Sequence, residues 1–255
     1  MYISSISSQN TYQSYQQLAS GKRINSAADD AAGLAIAEKL ETVSNGYDVG
    51  RNNAATSQNM INVAEGALGS ITDSLQRIHE LSVQASNTAI YGDSELNAIQ
   101  GEIDQLKQDI SDVAKNTTFN TMNLLDGSML GSNIATNPDG SGMKVDMPDA
   151  TLEALYIKDF DVTGDFDISV IDKALEKVTS WRSELGATTN RLDSAMNFNS
   201  YASYNLTASK SNIEDLDMAK AVSEKEKNRI LEQYKLMLMK KQISSADGYV
   251  RMLRF

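Results

Sequence analysis

Cysteine is absent from this chain, which excludes disulfides and thiolate metal sites. Proline is almost absent: Pro138 and Pro148 stand ten residues apart and leave both long flanks free of the residue that most reliably breaks a helix. Aromatic residues make up 6% of the sequence and apolar residues 41%, too little for the thick interior that an α/β enzyme fills. Histidine occurs once, as His79 on the polar side of a helical pattern, where a solvated side chain is expected rather than a general base. The glycine-rich phosphate loops and the G-x-S-x-G nucleophile turn do not occur. The paired acids Asp29-Asp30 and Glu214-Asp215 have no histidine beside them and read as helix caps or surface charge, not metal ligands. No catalytic, cofactor-binding or metal site is therefore expected. No run reaches the roughly 18 apolar residues of a membrane span. Met1 to Ser20 also lacks the basic start and apolar run of an ordinary secretory signal, so export would need another route.

Net charge is −11, against the basic surplus that phosphate binding needs, so nucleic acid is not expected as a partner. The charge is uneven. Beyond Lys220 the tail carries Lys225, Lys227, Arg229, Lys235, Lys240, Lys241, Arg251 and Arg254, and attraction between this basic end and the acidic body, within or between copies, is its simplest reading.

What the chain has in quantity is seven-residue periodicity. Ile61, Ala64, Leu68, Ile71, Leu75 and Ile78 alternate spacings of three and four, a narrow seam that packs helix on helix. Leu96, Ile99, Ile103, Ile110 and their neighbours Leu106 and Val113 repeat it, with Asp93 or Ser94 expected to cap the start. Asn87 to Gly92 reads as the turn between two antiparallel helices. From Asn116 to Gly164 the prolines, glycines and short runs Met143–Met147 and Leu155–Ile157 predict a small hairpin region. The heptad returns at Ile171, Val178, Leu185, Leu192, Leu206 and Ile213, with Asn199 its polar member, and predicts one helix of some forty residues. The fold class is thus mainly α: a long antiparallel coiled-coil-like bundle with a small β-hairpin region in the middle.

The two ends are amphipathic but weak. Ile3 and Ile6 begin one apolar face; Leu231, Tyr234, Leu238 and Leu253 belong to another, and isolated helices of this length are marginal in water. These six residues are expected to carry contacts between copies.

The most informative stretch is LASGKRINSAADDAAGLAIAEKL, Leu18 to Leu40. Gly21, the Asn25-Ser26 turn and the small residues Ala27, Ala28, Ala31, Ala32 and Gly33 permit close backbone approach, while Arg23 and Asp29-Asp30 are set for polar contacts with another element. This stretch resembles the L-S-S-G-x-R-I-N-S-A-x-D-D-A-A-G signature of bacterial flagellins. The likeness continues at Glu65-Gly66-Ala67-Leu68, at Leu75-Gln76-Arg77-Ile78-His79-Glu80-Leu81, at Phe119-Asn120 and Leu124-Leu125-Asp126-Gly127, and at Asn205-Leu206-Thr207-Ala208 and Ser211-Asn212-Ile213-Glu214-Asp215.

The resemblance implies a structural subunit, not an enzyme, that polymerises into the extracellular bacterial flagellar filament and serves motility. Residues 1–40 would form an inner-tube segment with a connecting spoke, 41–210 a helical rod with a β region at about 116–166, and 211–255 an inner-tube helix. The implied partners are other copies of the chain, an export chaperone and the flagellar export apparatus, and filament cap and junction proteins. Arg77, Leu81, Gln84 and Glu102 match positions at which the family meets subunits and Toll-like receptor 5. Two departures stand out: the signature begins near residue 18, earlier than is usual, and the variable outer domains are reduced to about fifty residues. Two alternatives remain open. A hook-filament junction protein shares the terminal plan, and an intracellular coiled-coil adaptor accounts for the heptads but not for Leu18 to Leu40.

Overall fold

The computed structural model describes residues 12–87 and 89–252, with side chains described as far as residue 242. The described residues form five helices: α1 (residues 12–20), α2 (Ala31–Ala85), α3 (Asp93–Asn116), α4 (Ser169–Glu214) and α5 (Met218–Met252). Between α3 and α4 lie two antiparallel hairpins, β1 (Thr118–Phe119) with β2 (Met122–Asn123) and β3 (Ser132–Ala135) with β4 (Gly142–Val145). Two compact units result, one of residues 43–204 and one of residues 1–42 with 205–255.

The 43–204 unit is a helical bundle around one apolar core. All six seam residues of α2, Ile61 to Ile78, are buried there, together with Ile99, Ile103 and Ile110 of α3 and Ile171, Val178, Leu185 and Leu192 of α4. Side chains pair in reverse order, Gln84 with Tyr91 just before α3 and Arg77 with Glu102 within it, so the two helices are antiparallel. The start of α3 departs from expectation. Neither Asp93 nor Ser94 caps it; Gly92 stands at the cap, and its own N–H donates to Glu95 Oε2 at 3.1 Å. A Glu at the third helical position satisfies the backbone outside the helix while leaving the cap position to glycine.

The seam of α4 is shorter than its sequence suggests. Ile171 to Leu192 and Asn199 are buried, but Leu206 and Ile213 are only partly so. A straight α-helix drifts by about 20° per heptad, so six heptads turn the stripe through roughly 120° and carry its end off the core.

The hairpin region also differs in detail. Only Met143 to Val145 of the Met143–Met147 run lie in a strand, and Leu155–Ile157 forms a turn in which Tyr156 adopts φ 61° while Leu155 and Ile157 point into the core. The β3–β4 loop docks on a notch in α2. A Cβ at Gly50 would stand 2.1 Å from the Thr136 carbonyl oxygen, and one at Gly46 2.6 Å from Pro138 Cβ. The buried Asn199 Nδ2 donates to that same Thr136 oxygen at 2.8 Å. One layer away, the Ser44 and Ser203 hydroxyls are 3.0 Å apart.

This notch supports a paired test. Gly50→Ala gains helix propensity but forces the hairpin backbone away, and is expected to destabilise the protein by about 1–2 kcal/mol net. Gly66→Ala in the same helix meets open space and is expected to stabilise by about 0.5–1 kcal/mol. Urea unfolding followed by circular dichroism checks both signs.

Candidate assembly site

The signature stretch earns its composition in the unit of residues 1–42 and 205–255. Gly21 takes φ 70°, a left-handed turn that costs other residues strain, and its carbonyl accepts the Leu216 N–H at 2.9 Å. Lys22 and Asp215 pair there as an antiparallel bridge. Arg23 then closes the C-terminus of α4, whose last carbonyls have no partner within the helix. Its N–H donates to Glu214 O and its Nη2 to Ile213 O, each at 2.6 Å, and the cation is well placed against the negative end of the helix dipole. Residues 21–24 and 214–216, far apart in sequence, are thus joined through main-chain bonds.

Glu214 is almost wholly enclosed and is held by Lys22 Nζ at 2.5 Å and Lys210 Nζ at 3.5 Å. Lys210 also reaches Glu41 Oε2 at 2.9 Å. That hydrogen bond raises the Lys210 ammonium above the usual lysine range and lowers the Glu41 carboxyl below its own.

The acidic pair behaves as capping groups. Asp29 Oδ2 accepts the Asn25 and Ser26 N–H groups at 3.0 Å each, and these backbone bonds hold its carboxyl below the usual range. Asp30 Oδ1 accepts the Gly33 N–H at 2.8 Å as α2 begins. A side chain at Gly33 would strike Asp30 and the buried Ile24, which explains the glycine. Asp217 similarly starts α5 by accepting the Lys220 N–H at 3.1 Å. Among the described residues no cluster of His, Asp and Glu is placed to hold a metal ion, and no helix is long and apolar enough to cross a membrane.

Beyond Asp217 the character changes. None of the residues from Met218 to Gln242 is buried, although the helix is rich in apolar groups. Leu231, Tyr234 and Leu238 are 44%, 58% and 44% exposed, and Ile230, Leu236, Met237 and Met239 are exposed as well. At 100° per residue these side chains spread right around the helix, with Ile230, Tyr234 and Met237 on one side and Met239 opposite. Charged residues are interspersed among them, but apolar groups that point to several sides of one helix are covered only when it is packed on several sides. Lys225 Nζ of this helix lies 4.3 Å above the Tyr15 ring of α1. Ile3, Ile6 and Leu253 lie outside the described residues.

The four other site residues sit near the turn between α2 and α3. Arg77 donates from Nε to Glu102 Oε1 at 2.9 Å and from Nη1 to Glu80 Oε2 at 3.1 Å, bonds that raise its guanidinium above its ordinary value. Gln84 Nε2 donates to Tyr91 Oη at 3.0 Å. Leu81 differs from these three. At 2% exposure it belongs to the core and supports the outer face from beneath. His79 is half-buried, with Nε2 3.3 Å from Asp172 Oδ1, so it bridges to α4 instead of standing free in solvent.

Sequence reading missed a feature of the middle region. Asp126, Asp139, Asp149, Asp161 and Asp167 each accept the N–H of the residue two positions on, always Ser or Thr. The repeated Asp-x-Ser/Thr was the available signal, and these turns shape a segment poor in regular structure.

Comparison with known proteins accords with this plan. Residues 3–129 match the family model for the bacterial flagellin N-terminal helical region and residues 168–245 that for the C-terminal helical region, leaving only 130–167 between them. Flagellin of Bacillus subtilis is 35% identical over 94% of this chain and 91% of its own. Flagellin FlaB2 of Treponema pallidum is 33% identical over 94% and 91%. The crystal structure of Bacillus cereus flagellin aligns with TM-score 0.50 and 25% identity over 58% of this chain and 88% of that one. A solved structure described as a flagellar hook-associated protein of Vibrio parahaemolyticus aligns with TM-score 0.59 at 16% identity over 73% and 100%, a likeness of fold alone. With both flanks matched and a short hairpin region in place of large outer domains, the chain belongs to the bacterial flagellin family.

Proposed function

We propose that α5 is the helix through which copies of this chain, a structural subunit of the bacterial flagellar filament, are held together. The observation that carries the reading is the all-round exposure of its apolar groups, an arrangement that a single chain leaves uncovered and a polymer can bury. Residues 1–40 and 211–255 then supply the inner tube and 41–210 the rod. The protein has no catalytic role on this reading and works outside the cell. An export chaperone and the export apparatus would handle the chain before assembly, and cap and junction proteins would meet it at the filament ends.

Charge sets the conditions of the test. The 43–204 unit carries ten Lys and Arg against 23 Asp and Glu, so copies repel until salt screens them. Purified protein salted out and viewed by electron microscopy should show long filaments. Failure to elongate without a second protein would favour the hook-filament junction reading, since the chain also shares its fold with a solved flagellar hook-associated protein.

The face of Arg77, Gln84 and Glu102, backed by Leu81, serves in this reading for subunit packing and for recognition by Toll-like receptor 5. Its support is the ion-paired, outward position of Arg77 between Glu80 and Glu102. Arg77→Ala is expected to leave monomer melting almost unchanged, since exposed pairs contribute little, while lowering both sedimented polymer and reporter-cell signalling. Polymer yield and signalling equal to the parent would remove the face from both roles.

A further inference from the structure

Eleven methionines are the chain's only sulfur, because cysteine is absent. They are not equally placed. Met60 and Met147 are buried, and Met129, Met143 and Met196 pack against the core. Met237 and Met239 are 70% and 55% exposed, within the continuous apolar run Leu236-Met237-Leu238-Met239. Two residues apart on a helix, they project about 200° from each other, on opposite sides of α5. Met218, at the start of the same helix, is 47% exposed and Met122, in the first hairpin, 45%, so an oxidant meeting the free chain finds most of the exposed sulfurs among the described residues on α5, and the two most exposed of them within its apolar run.

We propose that Met237 and Met239 are an oxidation site that controls entry of the free chain into polymer, with peroxide as the oxidant class. A sulfur lone pair attacks one oxygen of hydrogen peroxide, the O–O bond breaks, and the departing oxygen takes the remaining protons as water. The sulfur gains one oxygen and is oxidised by two electrons, while the peroxide is reduced by two. The product sulfoxide is polar and chiral where the thioether was apolar and adaptable. In water it costs the free helix little. In a packed interface its oxygen needs a hydrogen-bond donor and added room where the thioether needed neither. Oxidation thus penalises the assembled state selectively, and assembly in turn shields both sulfurs. The change is reversible by a thiol-dependent sulfoxide reductase, which removes the oxygen as water and leaves a disulfide on the reductant.

The inference rests on α5 being the assembly helix, and the two ideas fail differently. Full-length monomer is treated with hydrogen peroxide, the added oxygen is located by peptide mass spectrometry, and sedimentation after salting-out gives the critical concentration. Untreated protein that does not polymerise would count against the filament reading itself. If untreated protein polymerises, Met237 and Met239 should oxidise in the monomer before the buried Met60 and Met147, and the critical concentration should rise about tenfold or more. Sulfoxide reductase should restore it. M237L/M239L should polymerise from peroxide-treated monomer as from untreated, and M237Q/M239Q, which places a polar oxygen without oxidant, should polymerise poorly. The proposal is overturned if M237L/M239L remains as sensitive to peroxide as the parent, if M237Q/M239Q assembles normally, or if finished filaments oxidise at these two residues as fast as monomer.

Discussion

Ile71→Asp is expected to destabilise the isolated chain by about 3–5 kcal/mol, enough to lower its melting temperature by roughly 10 °C, because it places an unpaired carboxylate in a dry seam. Ile71 is fully buried in α2 between Leu68 and Leu75, which are equally buried, and the core cluster around it draws on α3 and α4 as well. A charge there can neither reach water nor find a cation, so the group protonates or the helices part. The loss is a large share of the roughly 5–15 kcal/mol that holds a typical domain folded. Leu75→Asp should behave alike. Thermal melts by circular dichroism check both, and melting within a degree or two of the parent would show that this seam is not the structural core.

Leu238→Asp carries the same change of chemistry to the opposite effect. Leu238 is already substantially exposed in α5, so the new carboxylate stays hydrated and monomer melting should not move. On the proposed assembly role of α5, neighbouring copies cover the same position in polymer. Burying the charge there should raise the critical concentration about a hundredfold or more. Sedimentation after salting-out reads this directly, and the melt of the same sample separates a failure to assemble from a failure to fold. A lower melting temperature with normal polymer yield would assign α5 to the interior of the single chain and not to the interface.

The contrast between these two leucine- and isoleucine-bearing helices marks how much was legible in the letters. The seams of α2 and α3 could be read directly, because an apolar residue every three or four positions is a local pattern that needs no knowledge of the partner. The antiparallel turn at Asn87–Gly92 followed from the same logic. The identity of the cap at α3 did not. Both Asp93 and Ser94 suit a cap, and only the backbone path, with Glu95 reaching back to the Gly92 N–H, decides between candidates so close in sequence. The α4 heptad was sound in composition yet ran on beyond the core it serves, since period alone says nothing about where a partner helix stops.

By itself the sequence determined the helical class and the central hairpin region, and the run from Leu18 to Leu40 pointed to the family through its resemblance to the flagellin signature. Tertiary structure alone decided which side chains meet across long separations. Arg23 closes the end of α4 because the chain turns at Gly21 to lie beside residues 213–216, a distance of 190 residues in sequence. Gly50 is a docking notch only because Thr136 arrives there, and Leu81 is interior while Arg77, one turn earlier, is outside. Such pairings depend on backbone approach within a few ångströms, which no one-dimensional spacing encodes, whereas helical periodicity is written into every seven residues.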